Sequence, residues 1–200
     1  MRSYFAAGMY ALVAGVILGV SGPLLLSADG AVGHAAHLVL SAGWSWAALA
    51  FCVGIISSSK RQSAVLGVLS LVAASLAYYL VKAGQGEFMA ADLTDTTGQI
   101  THFDWAGLMT KVVVWWVFAA LLGPLMGVAG NLARNGPYRL PCRLVIPFVA
   151  VVETTMRLKN EAPMLNDALV EATWSATRLV AVAVALGLVC LKVAEQRRRA

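Results

Sequence analysis

A glutamate stands in an otherwise apolar run. The stretch "PFVAVVETTMRLKNE", residues 147–161, is uncharged over 147–152, then carries Glu153, and reaches its first basic residue, Arg157, one helical turn later. At roughly 1.5 Å per residue, Glu153 sits about 6 Å below the boundary that Arg157 marks. A carboxyl group in an apolar site can hold its proton at neutral pH and act as a general acid, whereas a neighbouring arginine favours the carboxylate. Glu153 is therefore the first candidate for catalysis. Asp104 is the second: Asp104, Lys111 and Trp115 are spaced by seven and four residues, which places them on one helical face. Glu171, Trp174 and Arg178 share a face by the same arithmetic.

Lys111 and Arg178 stand well inside apolar helices, where a charge facing lipid is costly and normally turns inward to a partner. The acids available to them are Glu153, Asp104 and Glu171, with Asp29 as a fourth, so a polar pocket between helices is expected. The bland alternative is that Glu153–Arg157 and Glu171–Arg178 only lock helix packing, or that Arg157 snorkels to an interface. Trp44, Tyr78, Trp115 and Trp174 are the aromatic candidates for the pocket walls. Rings of this kind attract positive charge to their faces and suit a cation, although core filling and an interfacial aromatic belt are the competing uses.

Other chemistry is poorly represented. His34, His37 and His102 fall at one boundary, a geometry open to zinc or copper, but no HExxH-type spacing accompanies them. No metal and no cofactor are expected. Cys52, Cys142 and Cys190 are scattered thiols that read as small buried hydrophobes, without a CxxC pair. The sequence contains no phosphate-binding glycine loop and no nucleophile elbow.

The elements that must position these residues are membrane helices. The chain is 60% hydrophobic and 12% charged, against about 25% charge in a soluble domain, and its mean hydropathy is +0.76. Apolar windows of about 20 residues fall at 5–27, 35–57, 62–82, 103–133, 140–158 and 169–193. The first window exceeds a signal-peptide core and is read as a span. The fourth is long, with a kink expected at Gly123-Pro124, and the fifth is interrupted by Pro147 and Glu153. Ten basic residues fall on one side of these spans and three on the other. The net charge of +5 thus follows membrane topology, which places both termini in the cytoplasm, and a nucleic-acid partner is not expected. Segment 83–102 reads as an outer loop or short lid. Gly123 with Gly127, and Ala7 with Ala11, have the spacing of close helix contacts. The expected fold is a single all-α domain over 1–200, a polytopic bundle of about six transmembrane helices in the cell membrane. A homo-oligomer is compatible with it.

The stretches "SAGWSWAALAFCVG", "VAASLAYYLVKA", "VVVWWVFAALLGPLMGVAGNLAR" and "IPFVAVVETTMRL" together resemble a family of small bacterial integral membrane proteins close to the membrane terpene cyclases that act on farnesylated cyclodipeptides in indole-terpenoid pathways. The likeness covers most of residues 35–190 and is one of pattern. It implies a non-redox enzyme in which a carboxylic acid protonates an alkene or epoxide and aromatic walls guide the cation. Glu153 and Asp104, with Trp44, Trp115 and Trp174, are the residues here that fit such roles. The implied partner is a lipophilic isoprenoid substrate that enters from the bilayer. The alternative is the substrate-capturing subunit of a vitamin-uptake transporter, which also has six helices and an outward pocket.

Overall fold

A computed structural model describes residues 2–28, 30–91, 101–135 and 138–198 of the chain. Asp29, named above as a fourth acid partner, lies outside the described residues. The architecture is all-α apart from one small ribbon. In chain order the elements are α1 (Arg2–Leu26), α2 (Ala31–Ser41), α3 (Gly43–Ile56), α4 (Lys60–Gly84), β1 (Met89–Ala91), β2 (Thr101–Phe103), α5 (Trp105–Asn135), α6 (Arg139–Asn160), α7 (Ala162–Leu165) and α8 (Ala168–Arg197). The strands pair antiparallel with Met89 opposite Phe103, so the expected outer loop is partly a hairpin.

Four helices are long and apolar enough to cross a membrane: Phe5–Leu26, Lys60–Gly84, Trp105–Arg134 and Ala168–Arg197. The pair α2 and α3 makes a fifth when taken as one broken span. α6 has 22 residues but carries Arg139, Arg143, Glu153, Arg157 and Lys159, and it does not reach the same hydropathy. Large apolar side chains such as Ile17, Leu121, Leu125, Leu179 and Leu186 are exposed along α1, α5 and α8. Outward apolar faces of this extent are consistent with a protein surrounded by lipid.

One departure from the sequence reading matters. The run 35–57, expected as one helix, is broken at Ala42, whose extended backbone (φ −70°, ψ 146°) turns α3 by 61° from α2. α5 runs as one helix through Pro124, where the proline removes a single intrahelical hydrogen bond, and it is packed against α4 beside this point at Gly123.

That packing relies on glycine. α5 lies against α3 and α4 at Gly123, Gly127 and Gly130. A Cβ on Gly127 would run into the Ser63 carbonyl of α4, and one on Gly54 of α3 would run into the Gly127 carbonyl. Backbone thus touches backbone across two interfaces, as the 123/127 spacing implied. α1 packs on α4, with Ala11 fully buried beside Val53 and Leu66. α6 and α8 form a second layer, joined to the first through α3 and α5.

Replacing Gly127 with Val should therefore cost about 1–3 kcal/mol or more, because no rotamer relieves a Cβ–backbone collision. Gly187→Ala, where a Cβ meets open space, should be neutral or stabilising by up to about 1 kcal/mol through helix propensity. Thermal unfolding of both variants in detergent checks the contrast, and equal destabilisation would contradict the packing described.

Candidate functional site

The break at Ala42 creates a problem that the site solves. The last carbonyls of α2 and the first amides of α3 have no helical partners there, and they lie amid apolar side chains. On the carbonyl side, the Ser45 hydroxyl donates to the Val39 oxygen (2.5 Å) and the Trp46 indole N–H donates to the Leu40 oxygen (3.2 Å). On the amide side, no residue of α2 or α3 caps the helix with its side chain. Glu153 of α6 does so instead. Its Oε1 accepts the Gly43 N–H (2.9 Å) and its Oε2 accepts the Trp44 N–H (2.7 Å).

Arg157, one turn along α6, completes the arrangement. Its Nε and a terminal nitrogen both reach Glu153 Oε1 at 3.0 Å, and its other terminal nitrogen donates to Glu161 at 2.6 Å. The guanidinium carbon lies 4.7 Å from the centre of the Trp174 ring, a cation–π placement. Trp174 is fully buried against Ala42 and Val170. The carboxylate is thus held by the amide end of one helix, a cation on its own helix and, through that cation, an aromatic face of α8. Every group on Glu153 is a donor, and the positive end of the α3 dipole adds to them. A carboxyl group bound this way is fixed in place, with three contacts on Oε1 and one on Oε2.

The expected roles are redistributed accordingly. Asp104 is not joined to Glu153; its Oδ1 accepts the Gly107 N–H (2.8 Å) and caps the start of α5. Lys111 is half exposed and meets neither Glu153, Asp104 nor Glu171. It reaches Glu87 at 3.3 Å, which also pairs with Lys82, so two lysines anchor the turn before the hairpin. Burial raises the Glu87 carboxyl, but hydrogen bonds and charge from the two ammonium groups outweigh it and hold the group below its ordinary range. Arg178 and Glu171 form no ion pair among the described residues, and Glu171 is exposed. At the histidine boundary, His37 Nδ1 donates to the Gly22 carbonyl of α1 at 2.7 Å.

Glu153 also lines a cleft of about 260 Å³ between α3, α4, α5 and α6. Its aromatic wall is Trp46, Trp115 and Phe118, and Leu71, Leu122 and Met126 also line it. The Trp46–Trp115 and Trp115–Phe118 centroids are 5.9 and 5.7 Å apart. Of the four aromatic residues expected to line a pocket, Trp115 lines this cleft. Tyr78 stands behind it, edge-on to Trp46 at 6.0 Å. Trp44 faces a separate hollow between α6 and α8, and Trp174 is core. Trp46 and Phe118 are the residues that sequence reasoning missed. Trp46 lies two residues from Trp44 and therefore on a different side of α3. Phe118 lies three residues from Trp115, a spacing that could have found it.

No protein family matches the chain, and neither a curated protein nor a solved structure is found to be similar to it.

If Glu153 caps α3, Glu153→Ala strands the Gly43 and Trp44 amides and unpairs Arg157. The expected loss is about 1.5–3 kcal/mol for each charge-assisted bond not replaced by water. Glu153→Gln keeps an acceptor oxygen and should lose less. Denaturant titration of the two variants checks the order; an alanine variant as stable as the parent would contradict the cap.

Proposed function

We propose that the chain is an integral protein of the cell membrane that takes a lipophilic, isoprenoid-tailed molecule into the cleft between α3, α4, α5 and α6. The observation that carries this reading is a cleft with one polar end and apolar walls. The Glu153 carboxylate stands beside Gly43 at one end, and α5 lines the cleft from Trp115 to Met126, which is about 16 Å of helix at roughly 1.5 Å per residue. A long apolar tail fits along α5, and a cationic or N–H-donating head fits at Oε2 of Glu153. Bilayer-embedded ligands of this type reach such a site laterally, between helices, without crossing water.

The topology proposed with it has six spans and both termini in the cytoplasm. α2 and α3 together form the broken second span, and α6 is crossed in spite of its charges because Glu153 and Arg157 neutralise each other. The support is the distribution of charge: Lys60, Arg61, Arg134, Arg139, Arg143 and Lys192 stand at one end of the helices, as the positive-inside rule requires of a cytoplasmic face.

The catalytic form of this reading is a terpene cyclase acting on a prenylated indole or cyclodipeptide, the activity implied by the family resemblance. The aromatic faces of Trp46, Trp115 and Phe118 favour it, because a cation migrating along an isoprenoid chain is stabilised by ring quadrupoles. In that case Glu153 would give its proton to the alkene and take one back from the cyclised cation, which regenerates the acid, because no other acidic side chain lines the cleft among the described residues.

The test uses the protein in lipid nanodiscs with a farnesylated indole. Saturable quenching of tryptophan emission is expected, and Leu122→Trp, which fills the cleft at a partly exposed position, should weaken binding by about tenfold or more. A product of unchanged mass and altered chromatographic retention would identify cyclisation, since protonation followed by deprotonation leaves the formula intact. Binding that is unsaturable, or indifferent to Leu122→Trp, would contradict the cleft assignment.

A further inference from the structure

Away from the cleft, the opposite end of α6 meets the last turns of α8 and encloses a hollow of about 480 Å³. Arg139 and Arg143 on α6, Lys192 on α8 and Arg198 just past its end line it, against one carboxylate, Glu195. Lys192 and Glu195 are 3.9 Å apart and both well exposed, a pair too loose and wet to neutralise the hollow. The excess of positive charge is therefore open to a ligand.

Two of these cations are already oriented. Arg139 donates through Nε and one terminal nitrogen to the Arg134 carbonyl, at 2.8 and 2.6 Å. Arg143 donates through Nε to the Ala133 carbonyl at 3.2 Å. Both bonds satisfy free carbonyls at the end of α5, and both fix a guanidinium whose remaining N–H groups have no partner among the described residues. An arginine edge held in place is the geometry that grips phosphate oxygens in pairs.

The rest of the lining is apolar. Leu140, Leu188 and Leu191 face the same hollow, and Leu191 continues onto an exposed apolar side of α8 with Val184, seven residues earlier. A soluble anion has no use for such a border, whereas a lipid places its phosphate among the cations and its acyl chains along the leucines.

We propose that this hollow is a binding site for a phosphate-bearing anion, namely the headgroup of an anionic phospholipid held between the inner ends of α6 and α8. The site is independent of the cleft and of what occupies it. It would tie the ends of two helices to the lipid leaflet, where basic pockets between spans recognise anionic headgroups.

The experiment places the full chain in phosphatidylcholine nanodiscs and adds phosphatidylglycerol, with native mass spectrometry reading the lipid retained. The parent should retain phosphatidylglycerol at least about tenfold more strongly than phosphatidylcholine, and the double variant Lys192→Gln/Arg198→Gln should lose about tenfold of that preference. Among the described residues these two side chains make no hydrogen bond to the backbone. Arg139→Gln should give a smaller loss, and Lys60→Gln/Arg61→Gln, a basic pair on another helix, should change nothing. Equal retention of both lipids, or an equal loss in the Lys60/Arg61 variant, would overturn the site. Displacement by inorganic phosphate at matching concentration would overturn the lipid assignment in favour of a soluble anion.

Discussion

Backbone amides cannot be left bare in an apolar environment, and this constraint organises the protein around Glu153. A helix broken in the middle of a bundle exposes donors and acceptors on both sides of the break. Here the acceptors are met by Ser45 and Trp46 of the same segment and the donors by a carboxylate from another helix. An ionised side chain is the strongest acceptor a protein can offer to a helix N-terminus. Its own charge is then balanced by Arg157, which is seated on Trp174. Glu153 interrupts its apolar run because α3 needs a cap that its own sequence does not provide.

The break in turn decides where the aromatic residues point. With Ala42 pressed against Trp174 and Val170, α3 starts close to α8 and crosses towards α5. Trp44 is left on the α6–α8 side, while Trp46 turns towards Trp115 and joins the wall of the cleft. The residue that stabilises the break also forms the polar end of the cleft. The cap of α3 and the polar end of the cleft therefore share one carboxyl group.

The helical bundle was legible from hydropathy because long apolar windows have few alternative readings; five of the six expected runs coincide with single helices to within four residues at each end. The break was not, since segment 31–56 contains no proline. Its signals were weaker: small residues at Ser41, Ala42 and Gly43, the kind of cluster at which helices kink. Glu153 was visible as an anomaly, and Arg157 as one of its two readings. What spacing could not reveal was an amide partner more than a hundred residues away. The Lys111 misreading has a similar origin. Depth along α5 suggested an interior partner, but a long flexible side chain can reach back to the turn where Glu87 waits. Asp104 looked like a second acid because helix-face arithmetic says nothing about capping.

The most direct measurement is hydrogen–deuterium exchange resolved at the Gly43 and Trp44 amides, by NMR in micelles or nanodiscs, in the parent and in Glu153→Ala. If the carboxylate holds these two donors, both exchange slowly in the parent and become markedly faster in the variant, while amides in the middle of α4 keep their protection. Fast exchange at Gly43 and Trp44 in the parent, or unchanged protection in the variant, would contradict the account.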